Sequence, residues 1–217
     1  MSPWSVVDMG YQIVPTVIAG TQYELDRMLA RLEGKVIRVM LDIMDGRFVA
    51  NASLDFDFQL PSSFEYEAHL MVENPSEYVE ALVGRVTWVI LHIEALENPE
   101  AEIRLFKEKG FKVSLASNPG TPLEDVLPYL DLLDGVLVLT VNPGRHGAEF
   151  KPEALEKVRR LRGLGVTLPI EVDGGVNTDT ILDMKDAGAD VFACGSYLLR
   201  FDDVAEGIQS LRDATRS

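Results

Sequence analysis

Eight short apolar runs punctuate this chain, and each ends in a polar residue or a glycine. The runs are YQIVPT, VIRVMLD, EAHLM, VTWVILH, KVSLASN, VLVLTVNPG, LPIEVDGG and DVFACGS. Their tips hold Thr16, Asp42, His69, His92, Asn118, Asn142, Asp173 and Ser196. Apolar strands that repeatedly finish in residues capable of chemistry are what a (β/α)8 barrel requires, because its active site is built at the C-terminal ends of parallel strands. The expected class is therefore α/β, a (β/α)8 TIM barrel whose working face is the one formed by these tips.

Length alone would also allow two small domains in 217 residues. The even spacing of the runs argues instead for one repeating βα unit and a single barrel domain over residues 1–217. The intervening segments agree. In YELDRMLARLEG, apolar positions 25, 28, 29 and 32 fall at helical spacing and Gly34 supplies a stop. ENPEAEIRLFKEKG reads as a helix with Pro99 in its first turn and Gly110 at its end. Helices are also expected in NPSEYVEALVGR, NPGTPLEDVLPYLDLLD, FKPEALEKVRRLRGLG, NTDTILDMKDAG (capped by Asn177 or Thr178) and FDDVAEGIQSLRDATR. The polar stretch after Asp42, MDGRFVANASLDFDF, is long for a plain connection, and long βα loops tend to carry function.

Charge narrows the partners. Twenty Lys and Arg against 35 Asp and Glu give a formal charge of −15. Such a surface disfavours nucleic acid and anionic membranes. An anion site on this chain has to be built from backbone amides or a few local cations. The single cysteine, Cys194, excludes an internal disulfide, fits a reducing compartment and reads as a small buried hydrophobe. No run approaches membrane-spanning length, and MSPWSVVDMG lacks the basic-then-apolar order of a signal peptide. The expected location is cytoplasmic.

Three tips stand out chemically. Asp42, His69 and Asp173 lie at the mouth ends of the second, third and seventh runs, so a barrel makes them converge. Two carboxylates and an imidazole facing one another hold a divalent metal or divide acid and base roles. The alternative is that each aspartate merely caps a loop. Three glycine-bearing turns close the second half: NPGRHGAEF with Gly144 and Gly147, DGGV with Gly174 and Gly175, and CGS with Gly195 and Ser196. Glycine lets several amides approach one ligand, and the loops after strands seven and eight are a recurrent phosphate site of this fold. Met44 and Met71 read as cavity lining or ordinary core, and His92 as a satisfied packing residue. Neither a hydrolase triad nor a Walker or dinucleotide fingerprint is present.

Taken together, VPT (14–16), LDIMDGRFVAN (41–51), HLMVENP (69–75), HIEA (92–95), NPGTPLE (118–124), VNPG (141–144), FKPEALEKVRRLR (150–162), EVDGGVN (171–177) and AGADVFACGS (187–196) resemble the ribulose-phosphate 3-epimerase family in order and over nearly the whole chain. The resemblance implies a ribulose-phosphate-binding barrel that epimerises a ketopentose phosphate, of the ribulose-5-phosphate/xylulose-5-phosphate kind, at the carbon next to the carbonyl. It implies Asp42 and Asp173 as the acid/base pair working through an enediolate. It also implies a divalent metal (Zn, Mn, Fe or Co) on Asp42, His69 and Asp173, or none if that site stays empty. Thr16, His69, Met44 and Met71 would contact substrate, and Gly144, Gly147, Gly174, Gly175, Gly195 and Ser196 the phosphate. A homo-oligomer is implied as well.

The departures are specific. The family has a metal-binding His where this chain has Met40, and a thioether is a poor ligand for such cations. Thr16 stands for the usual Ser, and FVAN lacks the family's Pro. NPGRHGAEF brings Arg145, His146 and Glu149 beside the implied phosphate. An isomerase with altered activity and a catalytically impaired sugar-phosphate-binding paralogue are both compatible with these changes. A related decarboxylase or synthase is opposed by Met44, which stands where the decarboxylases carry Lys.

Overall fold

The computed structural model describes residues 10–144 and 147–216. Arg145 and His146 therefore lie outside the described residues, as do residues 1–9, which make up nearly all of the MSPWSVVDMG segment expected not to be a signal peptide. In chain order the strands are β1 (Gln12–Val17), β2 (Arg38–Asp45), β3 (Ala52–Ser53), β4 (Glu65–Met71), β5 (Trp88–His92), β6 (Lys112–Ser117), β7 (Gly135–Leu139), β8 (Ile170–Asp173) and β9 (Val191–Cys194). All but β3 pair in parallel with their neighbours around a closed ring. β1 joins the two ends, meeting β2 at Thr16↔Met40 and β9 at Gln12↔Val191. The chain is thus a TIM barrel, as the spacing of the runs predicts. Among the described residues no helix is long and apolar enough to cross a membrane.

Strand alternation divides the apolar residues between two cores. Val39, Leu41 and Ile43 of β2 join the large cluster between barrel and helices. Met40 belongs to a separate cluster with Val14, Trp88, Ile90 and Leu137, which fills the barrel itself. The residues at alternate positions of β2, Met40 and Asp42, therefore face inward.

The helices are α1 (Gln22–Leu32), α2 (Val79–Leu82), α3 (Pro99–Glu108), α4 (Leu155–Gly163), α5 (Ile181–Ala187) and α6 (Val204–Ala214). The Thr21 hydroxyl accepts the Glu24 amide at the start of α1, and Leu25, Leu29 and Leu32 are buried. Asn98 caps α3, Pro99 opens it, and Gly110 takes φ 90 after it, a conformation that favours glycine.

Three expectations are corrected. NPGTPLEDVLPYLDLLD forms no α-helix but two 3-10 segments, Leu123–Asp125 and Leu127–Leu132. Pro128 lacks an amide hydrogen and its ring would crowd the carbonyl four residues back, so an α-helix cannot run through it. After β4, a 3-10 turn at Pro75–Tyr78 leaves only the single turn of α2. The cap residue of α5 is Thr180 rather than Asn177 or Thr178. Asn177 instead accepts the Asp179 amide at 2.8 Å, while the Thr180 hydroxyl donates to the Gly175 carbonyl at 2.6 Å. The start of α5 is committed to the turn after β8.

One side chain ties α4 to the segments that lead into β8 and β9. Arg162 donates to the carbonyls of Gly188 (2.9 Å), Val166 (2.8 Å) and Leu168 (2.9 Å), and pairs with Asp190. Asp190 also accepts the Ile170 amide at 2.9 Å. Arg162→Ala is expected to lower stability by about 2–4 kcal/mol, since it strips charged donors from several carbonyls at once. Arg162→Lys should recover little of this, because an ammonium cannot reproduce the planar fork. Urea unfolding of both variants checks the pair; full recovery by Lys would reduce the tie to a simple charge.

Candidate active site

β2 turns Met40, Asp42 and Met44 toward the barrel axis, β4 turns Glu67, His69 and Met71, and β8 turns Glu171 and Asp173. The register sets Asp42 beside His69. His69 Nδ1 lies 3.2 Å from Asp42 Oδ1 and 3.4 Å from Asp173 Oδ2. One donor atom from each of the three falls within 4.8 Å of the others. His69 is fully buried and Asp42 nearly so.

Electrostatics follow from that burial. Desolvation, together with the negative charge of Asp42, pushes the Asp173 carboxyl up to about 7, against the pull of His69. For His69 burial opposes protonation, but the hydrogen bond and charge of Asp42, with Asp173 and Glu67 behind, raise its pKa above the ordinary value. Two carboxylates around one imidazole call for a cation, either a proton or a metal. The donor set fits a divalent metal: one nitrogen and two carboxylate oxygens match the three-ligand pattern of catalytic sites that keep an open position.

Asp42 and Asp173 both line one cavity at the mouth of the barrel. Thr16, Met44 and Met71 form part of its wall. Gly144, Gly147, Gly174 and Gly175 line it as well, together with Gly195 and Ser196. Of the catalytic, substrate and phosphate residues expected from the sequence, all but His69 thus border this space. His69, expected to touch substrate, is fully buried behind that lining, with its Nδ1 against the two aspartates. Glu149 is exposed.

The glycines are required where they stand. Gly174 takes φ 104, and a Cβ there would lie 2.3 Å from Val141 Cγ2. Gly175 takes φ 71, and its Cβ would meet Phe150 at 2.9 Å. The Thr140 hydroxyl donates to the Asp173 carbonyl at 3.0 Å, fixing the backbone that carries the carboxylate. The loop after β2 is braced at its root, where Asp45 accepts the amides of Glu73 (2.7 Å), Arg47 (2.8 Å) and Phe48 (3.0 Å). Its far end meets the loop after β7. Asn51 Nδ2 donates to the Gly144 carbonyl, and a Cβ on Gly144 would strike Val49 at 2.7 Å.

Two features escape the sequence reading. His92 is no mere packing residue. Its Nε2 lies 2.9 Å from His69 Nε2, and its Nδ1 lies 3.1 Å from Glu94 Oε2. Glu94 accepts the Asn118 amide at 2.7 Å and the Thr121 hydroxyl. Burial pushes the His92 pKa down to about 4. Burial opposes ionisation of Glu94, yet bonds from His92, Thr121 and Asn118 bring it to about 2. The acid two residues beyond a strand-end histidine was the available signal. The second feature lies deeper. Arg38 Nη1 approaches Glu67 Oε2 at 3.5 Å, and burial raises the pKa of both Glu67 and Glu171. Met40, fully buried in the apolar cluster, stands on the same inward face as Asp42 and offers no hard donor.

Comparison with known proteins identifies the family and the fold. The model of the ribulose-phosphate 3 epimerase family matches residues 12–199. The chain is 36% identical to the ribulose-phosphate 3-epimerase of Mycobacterium tuberculosis H37Rv, over 94% of this chain and 92% of that protein. It is 35% identical to that of Schizosaccharomyces pombe, over 94% and 93%. It is 36% identical to the cytoplasmic isoform from Oryza sativa, over 93% and 92%. Among solved structures, KGPDC from Streptococcus mutans superposes with a TM-score of 0.68 at 9% identity, covering 95% of this chain and 97% of that one. The 3-hexulose-6-phosphate synthase from Salmonella typhimurium gives 0.67 at 16% identity, covering 94% and 98%. At such identities these two likenesses speak for the fold alone.

Proposed function

The chain belongs to the ribulose-phosphate 3-epimerase family, and on that premise we propose that it interconverts ribulose 5-phosphate and xylulose 5-phosphate with Asp42 and Asp173 as its acid/base pair. The observation that carries the reading is their placement. They come from β2 and β8, strands separated by β1 and β9, and both border one cavity with His69 Nδ1 within 3.4 Å of each. One carboxylate removes the proton next to the carbonyl and the other delivers a proton to the opposite face of the enediolate. In the metal-free protein burial and the charge of Asp42 raise the Asp173 carboxyl to about 7; a bound cation would draw it back toward the ionised form that accepts a proton. Asp42, His69 and Asp173 would hold the divalent metal. When bound, that ion supplies a Lewis acid for the oxygens of the substrate.

The rest of the cavity supports the same substrate class. Met44 and Met71 offer apolar wall to the carbon chain, and Thr16 a hydroxyl. The glycine turns and Ser196 offer backbone amides to the phosphate, the kind of donor a chain of charge −15 requires. Gly195→Val is expected to raise KM at least tenfold by blocking that approach. Ser196→Ala should raise it only about threefold, the worth of one hydrogen bond. Equal effects would argue against an amide-built site.

The direct test follows the C3 proton of each pentulose 5-phosphate by NMR in D2O, with Zn, Mn, Fe or Co supplied. Deuterium incorporation with both substrates is expected; none with any metal would sink the proposal. Met40 favours one other reading, a binding protein with impaired catalysis, which predicts tight pentulose phosphate binding without exchange.

A further inference from the structure

We propose that His92 and Glu94 are positioning residues that fix the hydrogen arrangement of His69, so that Nδ1 is the nitrogen His69 offers between Asp42 and Asp173. The inference rests on the metal-assisted reading of that site and deepens it. Its starting point is a head-on contact. His69 Nε2 and His92 Nε2 are 2.9 Å apart, with the two rings only 12° from parallel. Such a contact needs one hydrogen between the nitrogens. Two hydrogens would collide, and none would leave two lone pairs facing each other.

The far end of the chain decides which ring supplies it. Glu94 Oε1 accepts from both the Asn118 amide and the Thr121 hydroxyl, as an ionised carboxylate does, and its Oε2 lies 3.1 Å from His92 Nδ1. An ionised carboxylate has no hydrogen to give, so His92 Nδ1 carries one. Two carboxylates flank His69 Nδ1, at 3.2 and 3.4 Å, so the pair's extra proton is held on His69; the fully buried His92 presents a lone pair at Nε2, and His69 donates from its own Nε2. The only nitrogen of His69 left for the aspartates is Nδ1. Binding of a divalent cation there costs His69 at most one proton, from Nδ1, and leaves the remainder of the chain of bonds intact. A ligand histidine oriented through its second nitrogen is a general device, and losing the orienting partner typically costs 10- to 100-fold in metal affinity. Here the partner is itself a histidine, locked in turn by a carboxylate in the 3-10 turn Ile93–Ala95. Packing alone would not demand this. The Phe48 ring, 4.7 Å from His92, could rest on any flat group.

The chain has only three histidines, so labelled imidazoles are readily assigned. Long-range proton–nitrogen spectra of the metal-free protein should show His92 protonated at Nδ1 and bare at Nε2, and His69 protonated at Nε2. A His92 carrying its hydrogen on Nε2 would overturn the proposal. Zn²⁺ affinity supplies a second readout. His92→Leu should lose about 10- to 100-fold. His92→Gln, whose amide oxygen can accept at similar reach, should stay within about threefold of the parent. Equal loss in both variants would leave only a packing role. If His92→Leu does not fold, Glu94→Gln replaces it. A glutamine can donate as well as accept, so His92 should then populate both neutral forms, and an unchanged His92 spectrum would count against the chain of bonds. If the parent binds no Zn²⁺, the metal reading fails, while the metal-free spectra still decide this one.

Discussion

Asp173→Asn should abolish solvent exchange of the substrate's α-proton, lowering kcat by about a thousandfold or more. The amide can neither take nor return the proton, and it is a weak ligand in place of a carboxylate. The same substitution should make the metal-free protein more stable at alkaline pH. Asp173 titrates at about 7 in the fold against 3.8 in an ordinary setting. A carboxyl raised in this way contributes stability that is fully present below pH 3.8 and is lost as pH rises through 7. The parent therefore carries a penalty above neutrality that Asn does not. The difference in Tm, variant minus parent, should grow between about pH 4 and pH 8. Deuterium exchange and thermal melts across that range check both halves. A flat difference would mean that burial and the charge of Asp42 do not raise the Asp173 carboxyl as the geometry implies, and surviving exchange would assign the chemistry elsewhere.

Met40→His should act in the opposite direction. Met40 lies two residues before Asp42 on the same inward face, so an imidazole there would join Asp42, His69 and Asp173 as a fourth donor. Zn²⁺ affinity is expected to rise at least tenfold, imidazole being a far better ligand than a thioether. Pentulose epimerisation should rise with it. The metal-free protein is expected to lose about 1–3 kcal/mol, because the present neighbours Val14, Trp88, Ile90 and Leu137 offer an imidazole few partners. Metal content, kcat and urea stability of the variant separate these effects. Unchanged metal content would show that the apolar cluster, and not one side chain, has closed the position. Proton exchange in the parent would show that three donors are enough.

Much of this was legible because barrel chemistry sits at strand tips. Asp42, Asp173, Thr16 and the glycine turns follow from apolar runs that end in functional residues, and all of them border one cavity. What escaped has a common physical character. NPGTPLEDVLPYLDLLD has the composition of a helix, but Pro128 decides its geometry locally. His92 reads as packing along the chain because its contact with His69 forms only when β4 and β5 pair; Glu94, two residues on, is the one partner the sequence displays. The pairing of Arg38 with Glu67, beside Glu171, is likewise invisible along the chain, since the three residues come from β2, β4 and β8.

The join between Asn51 and Gly144 has a bearing on engineering. Barrel enzymes invite loop grafting, in which one βα loop is exchanged to acquire a new specificity while the rest is kept. Here the loops after β2 and β7 are not separable cassettes. A donor loop lacking an amide at position 51 would lose the hydrogen bond that ties the two loops together, and any side chain at 144 would collide with Val49. Substrate scope in this barrel is therefore inherited by pairs of loops, and a library that varies both together should yield folded variants where single-loop libraries do not.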